Sequence, residues 1–472
     1  MPAMITPQVG RNGVSALLDD IETRYRSLLR TEACLNRRLV SFQANKHQPR
    51  YRWFKYKEGF SASLVRHFLA TCGIPRGGRV LDPFAGSGTT LFAASEMGHA
   101  ADGIELLPLG SAIVSARRAA NVLCREADRL AAFRTLVASR AWQNWPGQMP
   151  FNELPITAGA YPSETAYAIR RYLSWLDSQN AAEEACLLRF ALLSSLEEMS
   201  YTRKDGQYLR WDWRSSKSQG TKKFDKGNIA TFEAAIQDKL VQIIQDIDEM
   251  TLLSAAAAKP GEIRLREGSC LEVLPTLASR SYDCIITSPP YCNRYDYTRT
   301  YALELAMLGV DRNRLSELRQ AMLSCTVENR AKDLRTMNPA WMPALELAAR
   351  HTVLQAILDF LEEERVSRRL NNGGIVRMVR GYFEEMACVI YEAARVLAPS
   401  APLVMINDNV RYAGIAIPVD LILSDFAIEL GFEIDMILVL PSGKGNSSQQ
   451  MGAFGRQPLR KCVYIWRKRR DG

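Results

Sequence analysis

Two hydrophobic periods alternate along this chain. Short apolar runs bounded by turn residues predict strands at residues 79–82, 101–104, 262–265, 284–287, 403–406, 433–440 and 461–466. Apolar residues at helical spacing between them predict helices at 91–97, 382–397 and 417–430, the last followed by Gly431. A helix capped by Ser61 runs through Leu64, Val65, Phe68 and Leu69 into the first of these strands. Strand and helix in alternation point to an α/β fold, with 433–440 and 461–466 as an antiparallel terminal pair.

The run at 284–287 stops at Pro289 and Pro290, and proline cannot continue a sheet ladder. It reads as a buried strand whose carboxyl edge presents Ser288, Pro289, Pro290 and Tyr291. In open α/β sheets, ligands bind in the crevice outside such edges.

Purely helical patterns interrupt this order: 14–39 at the amino end, then 112–136, 163–176, 181–199 and 229–253, and later a helical stretch reaching about residue 380. The chain divides into an N-terminal helical segment (1–51), a first part of the α/β domain (52–120), a helical insertion (121–259), the Ser-Pro-Pro-Tyr strand (260–298), a second helical insertion (299–380) and a C-terminal part of the α/β domain (381–472). Residues 441–458 read as a Gly/Ser/Gln-rich loop of functional length.

Composition changes this picture little. In 472 residues, 47% hydrophobic and 24% charged, no apolar run approaches the roughly 20 residues that span a bilayer, and Asp19, Asp20 and Glu22 interrupt any leader, so a cytoplasmic protein is expected. Ten cysteines without a Cys-x-x-Cys pair, and four histidines, argue against zinc ribbons, disulfide frameworks and a metal site. A net charge of +9 favours a polyanionic partner without establishing one.

The charge becomes informative at residues 201–228. Arg203, Lys204, Arg210, Arg214, Lys217, Lys222, Lys223 and Lys226 stand there against Asp205, Asp212 and Asp225, interleaved with Tyr208, Trp211, Trp213 and Phe224. Phosphate pairing and base stacking could both occur in such a loop, which makes Arg210, Trp211, Trp213, Arg214, Lys222, Lys223 and Lys226 candidate nucleic-acid contacts. The alternative is a solvated loop whose aromatics tuck into the insertion.

Residues 79–82 lead into Pro83-Phe84-Ala85-Gly86-Ser87-Gly88-Thr89-Thr90 and then the helix at 91–97. Strand, glycine-rich turn and helix in that order make a nucleotide-type turn, its glycines letting a ligand approach backbone N–H groups. Glu105 ends the next strand, where a carboxylate commonly accepts ribose hydroxyls.

Together, Asp82-Pro83-Phe84-Ala85-Gly86-Ser87-Gly88-Thr89-Thr90 and Ser288-Pro289-Pro290-Tyr291 resemble the two signature motifs of the S-adenosylmethionine-dependent DNA amino-methyltransferases, which act on cytosine N4 or adenine N6. The resemblance covers 52–120 and 260–298, and more loosely 380–468. It implies a Rossmann-like class I methyltransferase sheet with an antiparallel terminal hairpin and large, mainly helical insertions. It also implies S-adenosylmethionine as cofactor. Asp82, Phe84, Gly86, Gly88 and Thr89 would then surround the methionine portion and Glu105 the ribose. Phe60 and Ser61 belong to a flanking segment similar to the family's, and Ser269 and Cys270 stand at the adenine edge.

Serine at the first catalytic position implies cytosine N4 more often than adenine N6. The Ser288 hydroxyl and Pro289 carbonyl would accept the hydrogens of the target amine, with Pro290 stiffening the backbone and Tyr291 stacking on a base flipped out of double-stranded DNA. Carbon-5 methylation would need a Pro-Cys nucleophile, and the sequence has none. A cognate restriction endonuclease or defence-system subunits are the implied partners. RNA or protein amide methylation, and a non-catalytic DNA-binding role in a defence complex, are the alternatives.

Overall fold

The computed structural model describes residues 11–32, 35–36, 38–57, 59–206, 208–217, 223–254, 259–441 and 459–470. The strands are β1 (Leu29–Thr31), β2 (Arg79–Asp82), β3 (Ala100–Glu105), β4 (Thr202–Asp205), β5 (Tyr208–Trp211), β6 (Ile263–Glu267), β7 (Cys284–Thr287), β8 (Pro402–Asp408), β9 (Val410–Tyr412), β10 (Ile415–Ile417), β11 (Phe432–Val439) and β12 (Lys461–Lys468). Eight of them form one sheet in the order β1-β11-β12-β8-β7-β2-β3-β6. All its neighbours are parallel except β12, which runs antiparallel to both β11 and β8.

Period-two alternation builds a core on each face of this sheet. Val80, Cys284, Ile286, Val404 and Ile406 enter one, against the helices Ala62–Thr71 and Thr89–Glu96. Leu81, Ile285, Leu403 and Met405 enter the other, against Ile375–Val396 and Val419–Glu429. With both faces covered, these strands read as continuous apolar runs. A third core joins the helix Pro108–Leu123 to the helices Ser163–Asp177, Ala182–Ser195 and Phe232–Ser254, and reaches Tyr301 to Cys325.

Several elements differ from the sequence expectation. The helix expected over 14–39 ends at Tyr25, and β1 then pairs in parallel with β11, Leu29 opposite Ile437. Backbone pairing along an open sheet edge outweighs helical periodicity there. The helix expected over 112–136 is two, Pro108–Leu123 and Ala127–Ser139. The helix expected from residue 382 begins at Ile375, and the one expected from residue 417 begins at Val419, because Ile415–Ile417 pairs with Val410–Tyr412. The basic segment carries the hairpin β4–β5 rather than irregular loop alone. The loop expected at 441–458 lies, apart from Pro441, outside the described residues.

No helix among the described residues is long and apolar enough to cross a membrane. Among them, no group of three or more His, Cys, Asp or Glu side chains could hold a metal ion.

Candidate active site at the switch point of the sheet

Strands β2 and β7 lie side by side, Leu81 opposite Ile285, and the chain winds outward from them in opposite directions. Their carboxyl ends therefore open into the crevice where α/β sheets hold ligands. The glycine turn follows β2 and the Ser-Pro-Pro-Tyr segment follows β7, so residues about 200 apart in sequence face one cleft of about 770 Å3.

Gly86 (φ 52°) and Gly88 (φ 75°) give the turn its left-handed bends. A Cβ at Gly86 would stand 3.2 Å from the Tyr56 ring, and one at Gly88 2.7 Å from Val114. The turn is held open by Glu105: its carboxylate accepts the Gly86 N–H at 2.6 Å and the Leu107 N–H at 2.7 Å. Burial pushes Glu105 up to about 7, against the backbone hydrogen bonds that favour its charged form.

Of the residues marked in the sequence, Phe60, Phe84, Gly86, Thr89, Glu105, Ser269, Cys270, Ser288 and Pro290 line the cleft. Ser61, Asp82, Gly88, Pro289 and Tyr291 do not. Ser61 is fully buried and caps the helix Ala62–Thr71, accepting the Leu64 N–H and donating to the Leu39 carbonyl, so helix packing uses its hydroxyl. Gly88 caps Thr89–Glu96 through its backbone. Asp82 lies one layer beneath, accepting the Thr287 hydroxyl at 2.6 Å and the Phe84 N–H at 3.1 Å. Burial raises it to about 6 while those hydrogen bonds hold it down.

The Ser288 hydroxyl donates to the Tyr291 hydroxyl at 3.1 Å. Tyr291 is 7% exposed, and the Lys461 ammonium, ion-paired with Asp408 at 3.1 Å, lies 5.3 Å from its ring centre. The ring is thus buried beside the motif instead of open to a base as expected, because the strand end folds its hydroxyl back onto Ser288. Cys292 is fully buried, and its burial raises the thiol well above the usual range. Asp296 caps the helix Tyr297–Thr300 and pairs with Arg299 at 3.3 Å and Arg319 at 3.1 Å.

The hairpin β4–β5 packs beside this site. The Tyr295 hydroxyl donates to the Gly206 carbonyl at 3.4 Å, and Arg299 lies 6.0 Å from the Tyr208 ring centre. Trp213 is half exposed, Trp211 lies under Lys217, Lys223 is exposed, and Arg210 stacks on Phe224 while pairing with Asp205. Two expected DNA contacts are used internally instead. Arg214 forms a two-point pair with Asp212, and Lys226 donates to the carbonyls of Glu197, Glu198 and Ser200, just past the end of the helix Ala182–Ser195. Lys222 lies outside the described residues.

The sequence reading missed Tyr56, Tyr297, Leu106, Leu107, Met322 and Leu323, all of which line the cleft. Tyr56 had a signal, standing four residues before Phe60, and it stacks on Tyr301 at 5.1 Å. Met322 and Leu323 had none: they reach the cleft from the second insertion, where Ser269 donates to the Ala321 carbonyl at 2.8 Å.

The buried carboxylate of Glu105 with Asp82 beneath it, a glycine turn that any Cβ would crowd, and an apolar wall of Phe60, Phe84, Met322 and Leu323 suit a ligand with a cationic end, adjacent hydroxyls and a flat ring. S-adenosylmethionine has all three.

A family model described as DNA methylase, of the N6/N4 type, matches residues 35–108. The Type II methyltransferase M.AvaI, from Nostoc sp. and from Anabaena variabilis, is 52% identical over 95% of this chain and 92% of its own. The Type II methyltransferase M.BsoBI of Geobacillus stearothermophilus is 40% identical over 95% of this chain and 91% of its own. Likeness of this strength along nearly the whole of both chains shows that the protein belongs to the DNA amino-methyltransferases of the N4/N6 type, enzymes that take their methyl group from S-adenosylmethionine.

Proposed function

We propose that the protein methylates the exocyclic N4 of cytosine at a specific site in double-stranded DNA, within a restriction–modification system in the cytoplasm. The observation that carries this reading is the shared cleft: Ser288 and Pro290 open onto the same space as Gly86, Phe60 and Glu105. When bound, S-adenosylmethionine supplies an electrophilic methyl group. The amine lone pair is delocalised into the base ring, so the protein must favour a pyramidal nitrogen. The Ser288 hydroxyl does this as an acceptor of an amine hydrogen, on a backbone that Pro289 and Pro290 stiffen. Tyr291 holds the Ser288 hydroxyl in place through their mutual hydrogen bond.

Glu105 and the turn at Gly86 hold the cofactor, with Asp82 and Gly88 supporting that turn from beneath, Phe60, Phe84 and Thr89 beside the cofactor and Ser269 and Cys270 towards its adenine. The hairpin β4–β5, through Arg210 and Trp211, and the segment after it, through Trp213 and Lys223, contact the DNA, and the segments 121–259 and 299–380 carry target recognition. A flipped base reaches the cleft at a cost of a few kcal/mol, offset by contacts within it.

Mass spectrometry of nucleosides from DNA incubated with the enzyme and cofactor tests this reading. N4-methylcytosine is expected. N6-methyladenine would move the assignment to adenine, and label on RNA with none on DNA would overturn the substrate class.

A further inference from the structure

Arg294 stands three residues beyond Tyr291, at φ 66°, a left-handed conformation that non-glycine residues adopt at a cost of order 1 kcal/mol or more. The surroundings fix that conformation from both sides. On one side the Tyr412 hydroxyl donates to the Cys292 carbonyl at 2.7 Å. On the other, the Asn293 side chain accepts the Tyr295 N–H at 3.1 Å, and Tyr295 reaches the Gly206 turn of the β4–β5 hairpin.

Among the described residues the charge held there is uncompensated. Its neighbours Arg299 and Arg319 are neutralised by Asp296, and Arg299 also by Glu328. Arg294 forms no ion pair among the described residues. One guanidinium nitrogen donates to Asn371 at 3.2 Å, while its Nε is buried without a hydrogen-bond partner among the described residues. A buried donor left unsatisfied is costly and asks for an acceptor.

We propose that Arg294 binds a DNA phosphodiester flanking the flipped nucleotide. This inference rests on the DNA reading above and deepens it. Arg294 lies between the Ser-Pro-Pro-Tyr segment and the point where Tyr295 touches the basic hairpin, the path a strand follows if its base enters the cleft while its backbone meets the hairpin. A guanidinium supplies paired donors matched to phosphate oxygens, and a strained backbone that aims one is a device for function, not stability.

The test uses a duplex carrying the site mapped by methylation-aware sequencing of DNA from expressing cells. Arg294→Gly relieves the left-handed strain while removing the guanidinium. It is expected to raise the KM for DNA about tenfold or more, to reduce the slope of log affinity against log salt by about 0.9, and to leave cofactor affinity unchanged. A single methylphosphonate beside the target nucleotide should weaken binding by the wild type and have no further effect on the variant. If Arg294→Gly does not fold, Arg294→Asn, which also tolerates this conformation, carries the same comparison. An unchanged salt slope together with equal methylphosphonate losses in both proteins overturns the assignment. A wild type that methylates no DNA overturns the functional reading instead, and the two failures are distinguishable.

Discussion

The Thr287 hydroxyl donates a 2.6 Å hydrogen bond to the Asp82 carboxylate and so ties the strand that ends in Ser-Pro-Pro-Tyr to the strand that ends in the glycine turn. Each residue is the last of its strand, and both are buried. Thr287→Val keeps the shape and removes the donor. Asp82 should then titrate above its present value of about 6, and cofactor affinity at neutral pH should fall several-fold. Cofactor titrations across pH check both effects; an unshifted midpoint would dismiss the link.

Burial raises Asp82 to about 6 and Glu105 to about 7, so the folded protein binds these protons more tightly than the unfolded chain. Stability without cofactor should therefore fall as pH rises through the interval from about 4 to about 7. Glu105→Gln removes about half of that dependence, on the order of 3 kcal/mol. Affinity for a cationic cofactor should run the other way, rising as the carboxylates ionise. Denaturant unfolding and calorimetry on either side of this interval test the two signs.

Ser288→Ala removes a hydroxyl that lines the cleft and is held by Tyr291. Turnover should drop about a hundredfold while cofactor affinity stays within about twofold. Single-turnover rates with saturating cofactor separate the two. A matching loss of cofactor affinity would move Ser288 out of the chemistry.

Gly110 carries no signal in the sequence reading, yet a Cβ there would meet the Glu105 side chain at 2.5 Å and the Gly86 carbonyl at 2.6 Å. Gly110→Ala should displace Glu105 and the turn, lowering cofactor affinity at least tenfold and stability by about 1–3 kcal/mol. Isothermal titration with a melting curve reports both.

Lys204 on β4 pairs with Glu304, both almost fully buried, and lies 5.1 Å from the Tyr301 ring centre. Removing one partner strands a buried charge, so Lys204→Met should cost about 3–5 kcal/mol. The double variant with Glu304→Met should recover most of it. Lys226→Met should likewise destabilise without altering the salt dependence of DNA binding, since its ammonium is spent on backbone carbonyls; Lys223→Ala and Arg210→Ala should reduce that dependence.

What the sequence determined by itself is what local periodicity and turn chemistry encode. Seven strands, the antiparallel place of β12 and the glycine turn follow from apolar runs stopped by proline or glycine, because those signals act over a few residues. The meeting of Gly86, Glu105, Ser269 and Ser288 was also legible, since strands that alternate with helices bring their carboxyl ends to one edge. Tertiary structure alone decided the rest. Leu29 pairs with Ile437 across about 400 residues, Met322 and Leu323 enter the cleft from an insertion with no motif, and Lys226 turns inward to helix-end carbonyls that no composition reveals. Burial and the choice of a charge's partner are settled between distant segments, and the same lysine or tyrosine reads alike in sequence whether it faces DNA or the core.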